Sequence, residues 1–179
     1  MSTQLFINAH IATGMPGSTA AETAAIQDIL VEDGKFISIA PHLKATLEAQ
    51  GKDMTSVEVV DLGGKLVCPP FCDTHLHLDY VFTARKPGAV NESGTLFEGI
   101  QRWSETKADL TVDEIKERAK IGIAKEMRHG VQFIRSHADV TDPNLTSLKA
   151  LLELKEELKD TVTLQIVSFP QEGMYSYEG

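Results

Sequence analysis

The rhythm of apolar and polar positions changes once along this chain, near residue 65. Before that point, Leu5 to Ala12, Ile26 to Glu32, Lys35 to Ala40 and Val57 to Leu62 are short apolar or alternating runs, the pattern of strands. Asp33-Gly34 joins the second run to the third and is a hairpin signal, because both positions of a two-residue turn of this kind need positive φ. Gly14-Met15-Pro16-Gly17-Ser18 supplies turn chemistry, Ala20 to Ala25 a loop, residues 41–56 a short helix or loop, and Gly63-Gly64 another turn. Residues 1–65 are therefore expected to form a small antiparallel β unit.

After Lys65 the runs lengthen. Leu66 to Leu78 reads as one long apolar strand, and Leu96, Ile100 and Trp103 then recur at helical spacing. Thr111-Val112-Asp113-Glu114 has the form of a capping box, opening a helix that runs to about His129 and stops at Gly130. Val131 to His137 reads as a second strand. Asp142-Pro143-Asn144 opens a helix bearing Leu148, Leu151, Leu152 and Leu158, whose acidic stretch from Glu153 to Glu157 is a solvated face with the leucine between in the core. Val162 to Phe169 is a third strand.

Strands alternating with helices define an α/β class with a parallel sheet and right-handed crossovers, either doubly wound or part of a (β/α)8 barrel. In both architectures the chemistry gathers at the C-terminal ends of the strands. His75 and His77, then His137 and Asp139, then Gln171 and Glu172, follow three successive strands. The chain stops at Gly179, directly beyond the third strand, and three parallel strands would leave long unpaired edges. Residues 66–179 are accordingly expected to be the front part of a larger domain.

His75 and His77 carry the most chemical information. On a strand, His-x-His projects both imidazoles to one side, about 6.5 to 7 Å apart along the backbone, so that two rings can share one metal ion. They cannot complete its coordination, since a catalytic metal needs three or more protein ligands and an open position. Cys68 and Cys72, the only cysteines, would lie about 13 Å apart on an extended strand, beyond disulfide reach. With Pro69-Pro70 stiffening that separation, they read as buried small hydrophobes rather than metal ligands.

Bulk properties narrow the field further. The 179 residues are 42% hydrophobic, enough for a real core, and carry a net charge of −9. Scattered basic residues among so many acids argue against a nucleic acid partner. The N-terminus has no basic leader region, and no apolar run approaches the roughly 18 residues of a membrane span, so the expected compartment is the cytoplasm.

Three segments taken in order are more specific than any of these features. Pro69-Pro70-Phe71-Cys72-Asp73-Thr74-His75-Leu76-His77-Leu78-Asp79, Ser93-Gly94-Thr95-Leu96-Phe97-Glu98-Gly99-Ile100 and Phe169-Pro170-Gln171-Glu172-Gly173 together resemble the bacterial cytosine deaminases of the amidohydrolase superfamily. The resemblance runs from about Leu5 to the last residue. It implies a (β/α)8 barrel beside a small β-sandwich made from both chain ends, so that residues 1–65 would be the N-terminal part of the sandwich and residues 66–179 the first three barrel strands. It implies hydrolysis of cytosine to uracil and ammonia, a step of pyrimidine salvage, and one divalent metal ion, Fe2+ or Zn2+.

His75 and His77 match the first pair of metal ligands. The remaining ligands, histidines from strands five and six and an aspartate from strand eight, have no match in this chain, nor does the glutamate that shuttles protons, so no catalytic group is present. Gln171 matches the glutamine that hydrogen-bonds the pyrimidine ring amide, Leu96 a position whose backbone contacts substrate, and Phe169 a pocket-lining position. The expected partner is a cytosine-like nitrogen heterocycle. Family members often assemble, yet no homo-oligomer interface is legible in the chain.

The remaining polar residues at the strand ends read less sharply. His137 and Asp139 could support the metal ligands from behind, but a structural role, with pairing to Arg135 and loop amides, is the stronger reading. Asp79 and Glu172 read as supporting hydrogen-bond acceptors, and His10, His42 and His129 as structural. A sister amidohydrolase acting on isocytosine, creatinine or an amino-triazine shares the visible motifs. A reading of another class is a non-catalytic fragment that needs a complementary chain; the 179 residues alone are expected to show no deaminase activity and weak metal affinity.

Overall fold

Two prolines divide the chain. The computed structural model describes residues 2–11 and 25–174, and its two units, Met1–Pro69 and Pro70–Gly179, meet between Pro69 and Pro70. A strand cannot run through this point, because proline has no amide hydrogen to donate and its ring holds φ near −65°. The run from Leu66 to Leu78 is therefore two strands rather than one: β5 (Leu66–Val67) and β6 (Phe71–Leu76). Leu66 and Val67 pair with His10 and Ile11, so they belong to the first unit.

In that unit β1 (Thr3–Ile11), β2 (Ile26–Glu32), β3 (Lys35–Ala40) and β4 (Val57–Asp61) lie in the order β3-β2-β1-β4, with β5 also on β1. The hairpin forms at Asp33-Gly34, where φ is 48° and 75°. The sheet is mixed rather than antiparallel, since β4 and β5 run parallel to β1. Helix α1 (Leu43–Ala49) and a 3-10 turn at Met54–Ser56 occupy the connection from β3, giving the chain the length it needs to re-enter in the direction of β1. Leu5, Leu30, Leu43 and Val57 form the core of this unit. The turn at Gly14 to Ser18 and nearly all of the loop from Ala20 to Ala25 lie outside the described residues.

The second unit has three parallel strands in the order β6-β7-β8, with β7 at Val131–Asp139 and β8 at Thr163–Phe169. Helices α2 (Leu96–Lys107) and α3 (Val112–Arg128) join β6 to β7, and α4 (Thr146–Glu157) joins β7 to β8. The capping box of α3 is complete: Thr111 Oγ1 accepts from the Glu114 amide at 3.2 Å, and the Glu114 carboxylate accepts from the Thr111 amide at 3.0 Å. Gly130, at φ 87°, ends the helix in the left-handed region.

Each helix turns one apolar stripe inward. Ile115, Ala119 and Ile123 of α3 and Ala150, Leu151 and Leu154 of α4 pack with Ile134 and Ala138 of β7 and Leu164 of β8. Leu152 does not join them and is 48% exposed, one step around the helix from Leu151. Cys68 and Cys72 are exposed free thiols instead of buried hydrophobes. Cys68 lies in the link between β5 and β6, and Cys72 lies on an edge strand of the described sheet, so neither reaches this core.

Burial sets the expected response to substitution. Leu151→Ala should destabilise the protein by about 3 kcal/mol, the usual range for emptying a packed leucine site, whereas Leu152→Ala should shift stability by no more than about 0.5 kcal/mol. Urea unfolding of the two variants checks the contrast.

Candidate active site

The local chemistry of β6 shapes the histidine pair. Asp73 Oδ1 accepts from the His75 amide at 2.9 Å, and the β6–β7 register slips between Asp73 and Leu76. His75 lies inside the strand and His77 one residue beyond its end. Their ring centroids stand 5.4 Å apart, inclined by 56°, so the two imidazoles share one region without lying parallel.

A third histidine joins them from the neighbouring strand. His137 of β7 stacks on His75 with centroids 4.1 Å apart and lies 5.6 Å from His77. Phe169, at the end of β8, meets His77 and His137 edge-on at 5.2 and 5.7 Å. The ends of three consecutive parallel strands thus each contribute a ring to one cluster.

The nitrogen atoms of this cluster suit a cation. Burial pushes the His77 imidazole below its ordinary value, and the neighbouring His137 and His75 push it further in the same direction. Burial and His75 also lower His137. Neutral imidazole is the metal-binding form, and Nδ1 of both His77 and His137 is buried with no hydrogen-bond partner in the structure. Among the described residues, however, no group of three His, Cys, Asp or Glu side chains is arranged to hold a metal ion. The donors present fit part of a metal site and do not close one.

Behind the rings lies a buried polar network. Asp79 Oδ2 accepts from the Asp139 amide at 2.8 Å, and Asp79 Oδ1 from the Tyr80 amide at 3.1 Å. Nδ1 of His77 is 3.9 Å from Asp79 Oδ1, outside hydrogen-bond range. Burial raises the Asp79 carboxyl to about 6 despite these amides, with the Asp139 charge adding to the rise.

Asp139 behaves differently because it is better supplied with donors. Trp103 Nε1 donates to it at 2.6 Å, Lys107 Nζ at 3.1 Å, and the Thr141 amide and hydroxyl at 2.8 and 2.6 Å. Burial works to raise this carboxyl, and the hydrogen bonds from Thr141, Trp103 and Lys107 outweigh it, holding the group below its usual range. Arg135, the partner anticipated for Asp139, donates instead to Gln165 at 2.8 Å. Glu172 is a supporting acceptor, taking a hydrogen bond from Lys107 at 2.8 Å.

Beside the cluster opens a cavity of about 490 Å³, lined among others by Tyr80, Asn91, Leu96, Ile100, Trp103 and Gln171. Leu96 and Gln171, two of the residues expected to contact substrate, both line this cavity, while Phe169 stands against the histidines. Tyr80 links the two regions: its ring stacks on His77 at 4.6 Å, packs on Trp103 at 4.9 Å and lines the cavity. The phenol is pushed up to about 12 by burial and by the nearby Asp79 and Asp139. Tyr80, Trp103, Lys107 and Ser136, whose Oγ accepts from the Leu78 amide at 3.0 Å, escaped the sequence reading. Position alone marked Tyr80, three residues after His77; the others carried no local signal.

The Amidohydrolase family model matches residues 58–179, and the chain belongs to that family. The 5-methylcytosine deaminase from Klebsiella pneumoniae, solved with 5-fluorocytosine, has a TM-score of 0.78 and 39% identity, over 97% of this chain and 38% of that one. N-isopropylammelide isopropyl amidohydrolase from Pseudomonas sp. strain ADP is 30% identical over 159 residues, 87% of this chain and 37% of its own length. Pterin deaminase from Rhizobium rhizogenes is 28% identical over 152 residues, 82% of this chain and 32% of its own length. The chain thus spans well under half the length of these relatives. Its second unit is the first part of a (β/α)8 barrel, preceded by an N-terminal β portion.

The network makes an acid-limb prediction. The folded state holds Asp139 below its ordinary value, so its stabilisation is present above roughly pH 4 and is lost as the pH falls through the folded value. Asp139→Asn should destabilise the protein by about 3 kcal/mol at pH 7, as expected for breaking a buried ion pair from one side. It should also flatten the loss of stability below about pH 4 in urea unfolding across pH.

Proposed function

We propose that this protein belongs to a hydrolytic deaminase of cytosine, releasing uracil and ammonia, with one Fe2+ or Zn2+ ion held through His75 and His77. The observation that carries the reading is the convergence of the two histidines beside a cavity lined by Gln171 and Leu96, joined through Tyr80. The 39% identity to a 5-methylcytosine deaminase supports the choice of substrate class. Histidine and carboxylate ligands accept either metal. The further ligands and the proton-carrying carboxylate are assigned to the part of the barrel beyond the 38% that this chain spans in that deaminase, or to a complementary polypeptide. The proposed compartment is the cytoplasm; no helix among the described residues is long and apolar enough to cross a membrane.

His75 and His77 would hold a divalent ion, which would supply a water nucleophile active at neutral pH. Substrate recognition falls on the chain's own groups. The Gln171 amide can donate to a ring carbonyl and accept from a ring N–H in one plane, matching an uncharged pyrimidine. A charged residue there would select less well. Tyr80 and Trp103 give the cavity an aromatic wall that excludes water from the ring faces. His77, held neutral by burial and by its histidine neighbours, keeps a nitrogen lone pair for the ion instead of a proton.

An amino-triazine substrate is the second reading, favoured by the 30% identity to N-isopropylammelide isopropyl amidohydrolase. Product analysis with cytosine and amino-triazines, on the complete metal-loaded protein that includes the remaining barrel strands, separates the two. Cytosine should be converted to uracil, Gln171→Ala should raise KM about tenfold or more, and His77→Ala should lower kcat/KM at least about a hundredfold with loss of stoichiometric metal. Turnover of amino-triazines without cytosine would favour the second reading. Full metal retention in a His75→Ala, His77→Ala double variant would contradict the site assignment.

A further inference from the structure

Beyond the histidines and the cavity, the largely enclosed Lys107 has no part in the scheme above. Lys107 ends α2 and is 10% exposed, with Nζ donating to Asp139 Oδ2 at 3.1 Å, Thr141 Oγ1 at 2.6 Å and Glu172 Oε1 at 2.8 Å. Burial pulls the ammonium down, and the contacts with Glu172 and Asp139 more than reverse this, so the group stays charged. It joins the end of β7 to the segment that follows β8.

That segment is a tight turn. The Gly173 amide donates to the Pro170 carbonyl at 2.9 Å, which makes Gln171 and Glu172 its two corner residues. The β7–β8 ladder ends at Asp139 and Phe169, so strand pairing does not extend into the turn. Gln171 faces the cavity, and the adjacent Glu172, 12% exposed, is gripped by Lys107. Gln171 and Glu172 are adjacent in one hydrogen-bonded turn, so a contact that holds Glu172 in place also restrains the backbone that carries Gln171.

We propose that Lys107 is the positioning residue of the substrate-binding turn: by holding Asp139 and Glu172 at once, its ammonium sets the direction in which the Gln171 amide enters the cavity. The clamp is anchored on both sides. Asp139 is fixed by Trp103 of the same helix and, through its own amide, by Asp79 next to the His77 strand end. One ammonium thereby keeps the amide that reads the ring in register with the histidines. An amide that must donate and accept in the plane of a ring tolerates little rotation, so a loosened turn costs affinity first. The role of Gln171 in this proposal rests on the deaminase reading.

The test uses the complete protein, this chain together with the remaining barrel strands, with Lys107→Met, Lys107→Arg and Glu172→Gln. Lys107→Met is expected to raise KM for cytosine about tenfold while kcat changes by less than about threefold, with Lys107→Arg recovering at least half of the loss on a logarithmic scale. Amide hydrogen exchange at residues 171–174 should quicken in Lys107→Met while α3 keeps its protection. Unchanged KM and unchanged exchange at the turn would overturn the proposal. So would an equal loss of protection in α3 and the turn, which describes a fold-wide role. If Lys107→Met does not fold, Glu172→Gln is judged by the same two readouts. If the wild type does not turn over cytosine, the deaminase reading fails and the exchange measurement alone decides the positioning role.

Discussion

The second unit is organised around the buried Asp139 carboxylate, which is 1% exposed. An ion so placed is unfavourable by several kcal/mol unless hydrogen bonds and an opposite charge replace the water it has lost. Two of its donors, Trp103 and Lys107, come from α2, and two come from Thr141 just after β7. Satisfying the carboxylate therefore fixes α2 against the C-terminal end of β7 and places Trp103 in the cavity wall. The same requirement brings Lys107 to Glu172 after β8. Geometry near the strand ends follows from a single electrostatic demand.

Asp79 lies directly beside this centre and takes the opposite course. Its hydrogen bonds come from backbone amides, no lysine or arginine among the described residues pairs with its side chain, and burial drives its carboxyl up to about 6. Two carboxyls joined through one amide thus hold their protons very differently, because the donors are unequally shared. The inequality is structural in origin. Lys107 reaches Asp139, while Arg118 from α3 spends its guanidinium on the carbonyls of Asp79 and Val81. Arg118 and Ser136 together hold the backbone after His77, and the ring cluster stands on that support.

What could be read from the residues in order was local. The Asp33-Gly34 hairpin and the Thr111 to Glu114 capping box are legible because their geometry closes within a few residues. His75 and His77 are legible for the same reason, and the family pattern around them supplied the barrel. Other features required partners distant in sequence. Trp103 looked like an apolar helix position and Lys107 carried no signal; their contacts to Asp139 span 36 and 32 residues, and Lys107 to Glu172 spans 65. His137 was expected at the same strand-end face, but only packing set its stacking on His75. The parallel entry of β4 was hidden likewise, since strand direction depends on where the connection returns.

The sequence by itself determined the element types, the class of barrel strand on which the histidines lie, and the side-chain chemistry available there. Periodicity, turn residues and a short motif are properties of neighbouring positions, and they survive without any knowledge of packing. Only the tertiary structure decided that Pro69-Pro70 separates two units, that both cysteines face solvent, and that Tyr80 joins the histidines to the cavity. It also decided which of two adjacent buried aspartates holds the lysine. Those outcomes depend on burial and on donors supplied from distant elements, and neither exists until the helices have packed onto the strands.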